Sequence, residues 1–364
     1  MSAPDSFILA LNFFNSNIPG GHFDSAVPVV IDTAGNVWVA NRDSVTKLTS
    51  NGRLAGNFNN ANTPGANFFY PQAMAIDTSG NVWLTNGLLP DVIASVIKLT
   101  SSGHLVGNFA PDGANFRSLQ DLAIGSTGNV WVTDASGGSV AELTSSGHLA
   151  GFFDNSNTPG ANFDAPWSVA IDAAGNVWVA NRLGFPGPSG SVTELTFGGD
   201  LAGNFSNLNT IGANFVFPSS VAIDTAGKVW VTNDSLDPFG SSVTKLTSIG
   251  ALVGNFNYSN TPGANFDRPF GLNIDGAGNA WITNISSLTE LTSSGALVAN
   301  FNNTTISSGD DFLSSAIDAA GNVWVTIQGK VDQGVSEVIG AARPVRTPLV
   351  ACLKQWPPHA VCLP

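Results

Sequence analysis

The residues best suited to bind a ligand share one position, at the start of seven similar apolar segments of the chain. Two aromatic residues and two glutamines occupy it, and in one segment the next residue is an aspartate. Aromatic rings stack on sugars and other rings, while amides and a carboxylate orient a ligand through hydrogen bonds. These types predict an amphipathic pocket, unless the aromatic side chains only fill the space between the segments. The position holds Val27, Gln72, Gln120, Trp167, Ser219, Phe270 and Leu313, and the aspartate is Asp121.

Three residues are candidates for acid–base chemistry at the same end of these segments. Asp121 and Asp134 are the acids at repeated positions there, and glycoside hydrolysis requires a pair of carboxylates. His22 is the histidine placed in a variable loop at this end. The sequence contains no Gly-x-Ser-x-Gly motif, no cysteine matched with a histidine and no His/Glu zinc spacing. The sequence therefore favours a protein without catalysis, and an enzyme using these residues is the alternative.

A second repeated position, where the next strand ends, carries side-chain oxygens in six of the seven copies. Such oxygens are ligands of hard divalent cations, so Asn86, Asp134 and Asn181 are candidates for a metal site. An asparagine at a strand end also hydrogen-bonds its own loop, which is the competing interpretation. We expect no cofactor. The alternative is a divalent cation bound where these strand ends surround the mouth of a central channel. The six residues are Asn41, Asn86, Asp134, Asn181, Asn233 and Asn284, and Ile327 stands in the seventh copy.

A phrase built around tryptophan organises the chain and positions both sets of residues. It reads Ile-Asp-x-x-Gly-Asn-Val-Trp-Val-x-Asn, and its tryptophans recur every 43 to 52 residues. A period in this range is typical of a repeat architecture. Because the tryptophans have a fixed place inside a strand, we interpret them as packing between repeats and not as a sugar-binding array. They are Trp38, Trp83, Trp131, Trp178, Trp230, Trp281 and Trp324.

One copy, residues 71–116, contains four strand patterns separated by turns. The turn between the first two carries Asp77 and Gly80, which suit a tight turn, but its single carboxylate is too little for a calcium site. The strand patterns cover 73–76, 82–86, 95–100 and 104–109. Four antiparallel strands in about 45 residues make a propeller blade. Seven copies therefore predict an all-β, seven-bladed β-propeller of four-stranded antiparallel blades.

The two ends of the sequence predict how the ring of blades closes. The last copy has strand patterns near 314–318, 322–327 and 334–339 and then stops. Residues 6–13 match the fourth strand of the other copies, so we expect them to complete the last blade and remove two open sheet edges. The predicted domains are a propeller over 1–340 and a proline-rich tail over 341–364.

Loops of variable length mark the face on which binding is expected. The connection between the second and third strands differs from copy to copy, and the long connections between blades emerge on the same side. Loop variety on a rigid scaffold is typical of binding surfaces. We name this side the top face. Its loops add Arg42 and Arg182 to the candidate ligand-binding residues.

The repeat resembles NHL-type repeats, and most of all those of the seven-bladed group that includes the streptogramin B lyases. The resemblance rests on Val-Ala-Ile-Asp-x-x-Gly-Asn-Val-Trp-Val-Ala-Asn followed by Val-Thr-Lys-Leu, and it covers about residues 6–340. It implies the seven-bladed fold and, for the lyases, metal-assisted catalysis by a His/Glu set on the top face. This chain departs from that set, since His104 and His148 lie in turns of the opposite face and His359 lies in the tail.

Composition limits the partners of the chain. Its net charge is −13, only 11% of its residues are charged, and lysine and arginine form no cluster in the sequence. These features argue against nucleic acid or an anionic membrane as a partner. No apolar run approaches the ~20 residues of a membrane span. The start of the sequence shows no signal peptide, so we interpret it as the start of a mature or recombinant chain.

The tail holds the only two cysteines, Cys352 and Cys362, and in a chain of this composition we expect them to form a disulfide outside the cytosol. A metal site with His359 is the alternative, although it is one ligand short of a closed shell. Mass spectrometry without reductant is expected to show Cys352 linked to Cys362 within one chain. Reduction is expected to change the melting temperature little, because the bridge closes a short loop. Free thiols or a link between chains would contradict the pairing.

Three functional hypotheses follow from the sequence. The preferred one is a secreted propeller that binds a small molecule, a glycan or a protein through its top face, because the loops vary without a recognisable catalytic set. The second is a lyase or hydrolase acting at the channel mouth, which requires a convergent acid–base pair or a metal there. The third is a structural protein that self-associates through its surface of low charge and its tail.

Overall fold

The computed structural model describes residues 10–87, 94–183, 189–235, 240–302, 306, 311–329 and 333–343. These residues form seven four-stranded antiparallel sheets, which confirms the predicted all-β, seven-bladed propeller. In six sheets the strands pair in sequence order. No described helix has the length and apolar character that a membrane crossing needs.

The first strand, β1 (Ala10–Phe14), belongs to the last blade, and blades 1 to 3 follow it in the chain. Blade 1 contains β2 (Val29–Ile31), β3 (Val37–Ala40), β4 (Ser44–Leu48) and β5 (Leu54–Asn59). Blade 2 contains β6 (Met74–Ile76), β7 (Val82–Asn86), β8 (Ser95–Leu99) and β9 (Leu105–Phe109). Blade 3 contains β10 (Leu119–Ile124), β11 (Val130–Asp134), β12 (Ser139–Leu143) and β13 (Leu149–Asp154).

Blades 4 to 7 complete the ring. Blade 4 contains β14 (Pro166–Ile171), β15 (Val177–Asn181), β16 (Ser191–Leu195) and β17 (Leu201–Ser206). Blade 5 contains β18 (Pro218–Ile223), β19 (Val229–Asn233), β20 (Ser242–Leu246) and β21 (Leu252–Asn257). Blade 6 contains β22 (Gly271–Ile274), β23 (Ala280–Asn284), β24 (Ser287–Leu291) and β25 (Leu297–Asn302). Blade 7 contains β26 (Asp311–Ile317), β27 (Val323–Gln328) and β28 (Gln333–Val338).

Strand β1 supplies the fourth strand of blade 7, as the sequence predicts. It pairs antiparallel with β28, and the pairs run from Ala10 opposite Val338 to Phe14 opposite Gly334. The predicted strand began at residue 6, and its residues 6–9 lie outside the described residues. The first and last segments of the chain therefore close the ring within one sheet, which leaves no unpaired edge on β28.

The repeat tryptophans form the packing between blades. Trp38 is fully buried, stacks on Phe58 of the same blade with ring centroids 5.7 Å apart, and packs against Val82 of blade 2. The Phe58 ring covers Gly103 of blade 2 so closely that an added Cβ would lie 2.0 Å from a ring carbon. Gly103 also has φ +85°, so both its backbone and its neighbour require glycine. This close van der Waals packing between blades explains why the spacing of the tryptophans predicts the fold.

The aspartate turns fix the tryptophans from the face opposite the top face. In blade 1 the Oδ1 of Asp32 accepts the backbone N–H groups of Ala34 and Asn36, and its Oδ2 accepts the indole N–H of Trp38 at 3.1 Å. One carboxylate therefore closes the turn and satisfies the polar edge of a buried indole.

The chain after β28 runs from blade 7 towards blade 6. The N–H of Ala342 donates to the carbonyl of Gly321, and the N–H of Arg343 donates to Oδ2 of Asp275 in the blade 6 turn. Residues 344–364, with Cys352, His359 and Cys362, lie outside the described residues.

Candidate functional site

A cavity of about 530 Å³ opens at the centre of the top face. Its wall is built by the first strands of all seven blades, because these strands line the axis of the ring. The repeated position identified in the sequence lies on this wall in every blade. The seven residues there are Val27, Gln72, Gln120, Trp167, Ser219, Phe270 and Leu313.

The wall has a polar arc formed by blades 2 and 3. Gln72 is half-buried and its amide donates to the carbonyl of Tyr70 at 3.1 Å. Gln120 is buried, and its amide donates to the hydroxyl of Ser118 at 2.8 Å. Each amide keeps its side-chain oxygen free of any hydrogen bond that the structure shows, so this arc presents acceptors to the cavity.

Among the described residues that line the cavity, Asp121 is the one titratable residue. Burial raises the pKa of its carboxyl to about 6, although hydrogen bonds to the ionised form oppose this shift. Its Oδ2 accepts the N–H of Val169 at 2.9 Å and the hydroxyl of Ser168 at 2.7 Å, and its Oδ1 accepts the N–H of Leu122 at 2.8 Å. Since Val169 and Ser168 belong to blade 4, Asp121 also ties two blades together.

The neighbouring arc, from blades 4 and 6, is aromatic and backed by arginine. Trp167 and Phe270 are half-buried on the wall. The guanidinium of Arg182 lies 4.6 Å from the ring centroid of Trp167, and that of Arg268 lies 5.2 Å from the ring centroid of Phe270. Cation–π contacts of this kind hold each arginine and its aromatic ring in place.

One buried carboxylate serves both arginines. Asp234 is fully buried, accepts from Nη2 of Arg182 at 2.7 Å, and lies 3.7 Å from Nε of Arg268. Nη1 of Arg182 and Nε of Arg268 have no hydrogen-bond partner among the described residues. Neither arginine lines the cavity, and the two nitrogen atoms without a partner are buried, so both guanidinium groups lie behind the aromatic residues.

The remaining acid–base candidates lie away from the cavity. His22 and Asp43 are exposed and 3.4 Å apart, beside a separate groove lined by Asn57 and Asn60. Asp134 is buried, where it accepts the N–H groups of Arg117, Ser118 and Gly137, and it does not line the cavity. Neither joins Asp121 in an acid–base pair on the cavity wall.

The predicted ring of strand-end oxygens is engaged with its own loops. Asn181 donates to the hydroxyls of Ser191 at 3.1 Å and Thr193 at 2.9 Å, and Asn86 donates to Ser95 and accepts from the N–H of Phe69. The described residues contain no group of three His, Cys, Asp or Glu side chains placed to hold a metal. The hydrogen bonds of Asn86, Asp134 and Asn181 favour the loop interpretation of these three residues.

Arg42 is exposed on the rim, with its guanidinium 5.2 Å from the ring centroid of Tyr70. Tyr70 has φ 47°, and the matching residues of three other blades, which also precede a proline, share this left-handed conformation. Such a φ is strained for residues with a side chain, and its recurrence makes it a feature of the connection between blades. The three matching residues are Ala165, Phe217 and Arg268.

Sequence reasoning missed four residues of the cavity region: Asp234, Arg268, Asn273 and Gln328. Asn273 lines the cavity and donates to the carbonyl and hydroxyl of Ser315 in blade 7. It replaces the alanine or valine of the other copies, so the repeat carried a signal for it. The link of Asp234 to Arg268 joins two blades and has no signal of its own in the sequence.

Solved structures of several proteins share the fold. Streptogramin B lyase matches at 16% identity with a TM-score of 0.69, covering 90% of this chain and 97% of that one. A catalytically inactive virginiamycin B lyase from Staphylococcus aureus with quinupristin matches at 14% identity and a TM-score of 0.69, covering 91% and 100%. The extracellular domain of a hybrid two-component system from B. thetaiotaomicron matches at 15% and 0.70, covering 91% and 41%.

No protein-family model and no curated protein matches the chain. At these identities the structural likeness shows the fold alone, so the chemistry of the site depends on the residues of this chain.

Proposed function

We propose that the chain is a binding module that holds a ring-bearing small molecule in the top-face cavity. The observation that carries this is the division of one cavity wall into an aromatic arc with Trp167 and Phe270 and a polar arc with Gln72, Gln120 and Asp121. A cavity of about 530 Å³ lies within the range of small-molecule sites. The aromatic side chains line open space, which supports a pocket over a channel plug.

The charges favour a ligand with an acidic group. Arg182 and Arg268 share the single carboxylate of Asp234, and the side chain of Arg268 stays 43% exposed beside the aromatic arc. An anion near these guanidinium groups gains charge-assisted hydrogen bonds. An aromatic acid or a uronic-acid sugar stacked on Trp167 meets these requirements, with its neutral polar groups towards Gln72 and Gln120.

Replacement of Trp167 by alanine is expected to weaken ligand binding at least tenfold, because an aromatic anchor at the centre of a site is worth about 2 kcal/mol or more. A panel of aromatic acids and acidic and neutral glycans is screened on the wild type by calorimetry, and hits are repeated on the variant. Phe197→Ala, at an exposed aromatic residue of the opposite face, is the matched control and should bind normally. Trp167→Phe should restore part of the affinity.

Melting curves of the same variants separate the pocket from the plug. If Trp167 only fills the channel, its loss costs about 3–5 kcal/mol and leaves binding unchanged. That combination would overturn the proposal. A small change in melting temperature together with lost binding supports it.

A lyase or hydrolase is the second candidate function, and the raised pKa of Asp121 favours it. A carboxyl with a pKa of about 6 on a cavity wall can exchange a proton near neutral pH. Turnover of any bound ligand should then vanish in Asp121→Asn while binding remains. The variant should stay folded, because an amide oxygen can still accept from Val169 and Ser168.

Secretion is part of the proposal. The two tail cysteines and the low charge support it, and one protein of the same fold is an extracellular domain. A structural protein that self-associates stays the third possibility. Light scattering of the full chain over a concentration series tests it.

A further inference from the structure

The residue opposite each repeat tryptophan on the third strand is either lysine or glutamate. The register pairs Trp38 with Lys47 and Trp178 with Glu194, and the other blades follow the same register. Blades 1, 2 and 5 carry Lys47, Lys98 and Lys245, and blades 3, 4, 6 and 7 carry Glu142, Glu194, Glu290 and Glu337.

In the lysine blades the ammonium fills a niche with three walls. It lies 3.1–3.5 Å from the turn aspartate and 4.2–4.5 Å from the tryptophan ring centroid. It donates at 2.7–2.9 Å to a serine carbonyl in the turn of the next blade. A carboxylate, a π face and a carbonyl together bind a cation. We call this place the cation niche.

Blade 4 keeps the walls of the niche and replaces the cation by a second carboxylate. Glu194 is 7% exposed, and its carboxylate has no hydrogen-bond or ion-pair partner among the described residues. Burial, and then the charge of Asp172, raise the pKa of Glu194 to about 7. Asp172 is engaged with its own turn, since its Oδ2 accepts from Asn176 at 3.0 Å and from Trp178 at 3.4 Å. Ser248 stands at the matching place in the turn of blade 5.

In the other glutamate blades, the glutamate carboxylate is accommodated in different ways. Glu290 and Glu337 accept the side-chain amides of Asn279 and Asn322 at 2.9 and 2.8 Å. Blade 3 has Gly125 in place of the turn aspartate, so Glu142 faces no second carboxylate of that turn. Among the described blades, only blade 4 combines a turn aspartate with a third-strand glutamate that has no hydrogen-bond or ion-pair partner.

We propose that blade 4 binds one calcium-like divalent cation between Asp172 and Glu194, where the lysine ammonium lies in blades 1, 2 and 5. Two carboxylates balance the charge of a divalent ion, and the carbonyl of Ser248 and water supply further oxygens. Calcium accepts such an irregular oxygen shell, whereas magnesium requires a near-ideal octahedron. This site lies at the face opposite the cavity and does not depend on the proposed ligand site.

Calorimetric titration of CaCl₂ into the chelator-treated full chain at pH 8 and moderate NaCl tests the site. The wild type is expected to bind one calcium ion per chain, with a dissociation constant of ~0.1–1 mM, as for extracellular calcium sites, and to melt at higher temperature with calcium. MgCl₂ is expected to bind at least tenfold more weakly.

Three variants identify the niche. Glu194→Gln should lose the bound ion, Glu142→Gln should keep it as the matched control, and Glu194→Lys should lose it while melting higher than the calcium-free wild type. Asp172→Asn gives a second route to the same loss if Glu194→Gln folds poorly. Absence of calcium binding by the wild type, or one ion retained by Glu194→Gln, would overturn the proposal.

Discussion

A chain without residues 1–14 is expected to aggregate or to melt far below the full chain. The deletion removes β1, which pairs with β28 along five residues and closes the ring. It exposes one edge of blade 7, and an unpaired edge strand is a template for pairing with other chains. It also uncovers Trp324, since the ring centroid of Phe13 lies 5.4 Å from that of the indole. Differential scanning calorimetry with light scattering measures both effects.

Two point variants in β1 refine this experiment. Phe13→Ala keeps the strand but removes the ring stacked on Trp324, and it is expected to cost about 3 kcal/mol. Leu11→Ala in the same strand is the matched control, because Leu11 is exposed and should change stability by less than about 0.5 kcal/mol. A truncated chain that melts like the full chain would show that β1 does not close the ring in solution.

The fold could be predicted from the sequence because each blade is a local unit. Strand patterns, aspartate turns and tryptophan spacing all act within about 45 residues, the range over which a repeat signal is readable. The closure by β1 required one further comparison, between the start of the chain and the fourth strand of the other copies. Equivalent blades also place equivalent residues on one ring, so the cavity position from Val27 to Leu313 followed from alignment of the copies.

The electrostatics of the site could not be predicted in the same way. Asp234 meets Arg182 and Arg268 across two blade boundaries, and which side chains meet there depends on rotamers and loop paths. The strand-end asparagines show the reverse case. Their types suit a metal, but Ser and Thr hydroxyls of the third strand lie close enough to bind their amides, as Thr193 does for Asn181. The choice between Lys and Glu on the third strand could be interpreted only after the register had placed these residues beside the turn aspartates.

The second large effect concerns pH. Two glutamates in the last blades contribute to it, beside Asp121 and Glu194, whose pKa values are also raised. Burial raises the pKa of Glu290 and of Glu337 to about 7 from an ordinary value of 4.5. The carboxylates of Asp275 and Asp318 raise it further, whereas Asn279, Asn322 and, for Glu290, Arg343 lower it. Between pH 4.5 and about 7, the folded chain therefore keeps protons on Glu290 and Glu337 that the unfolded chain has released.

The sign of the pH dependence follows from this difference. A raised pKa in the folded state gives stability that is fully present below pH 4.5 and is lost as the pH rises to about 7. Asp32, Asp77 and Asp224 have lowered pKa values, so their contribution is lost only as the pH falls below 3.8. The free energy of unfolding is thus expected to be highest near pH 4.5 and to decline towards neutral pH.

Urea unfolding of the chelator-treated chain between pH 4.5 and 8 measures this decline. Each of the two glutamates is expected to contribute about 1 kcal/mol, once screening by solvent is allowed for. Glu290→Gln combined with Glu337→Gln should remove this part of the slope, because an amide keeps the hydrogen-bonding oxygen but does not titrate in this range. Glu142→Gln is the matched control, since Gly125 leaves Glu142 without the turn aspartate that Glu290 and Glu337 face. A free energy of unfolding that rises from pH 4.5 to 7, or a double variant with the wild-type slope, would show that these glutamates are ionised in the folded protein. Their pairing with the turn aspartates would then have to be balanced by bound cations, as proposed for blade 4.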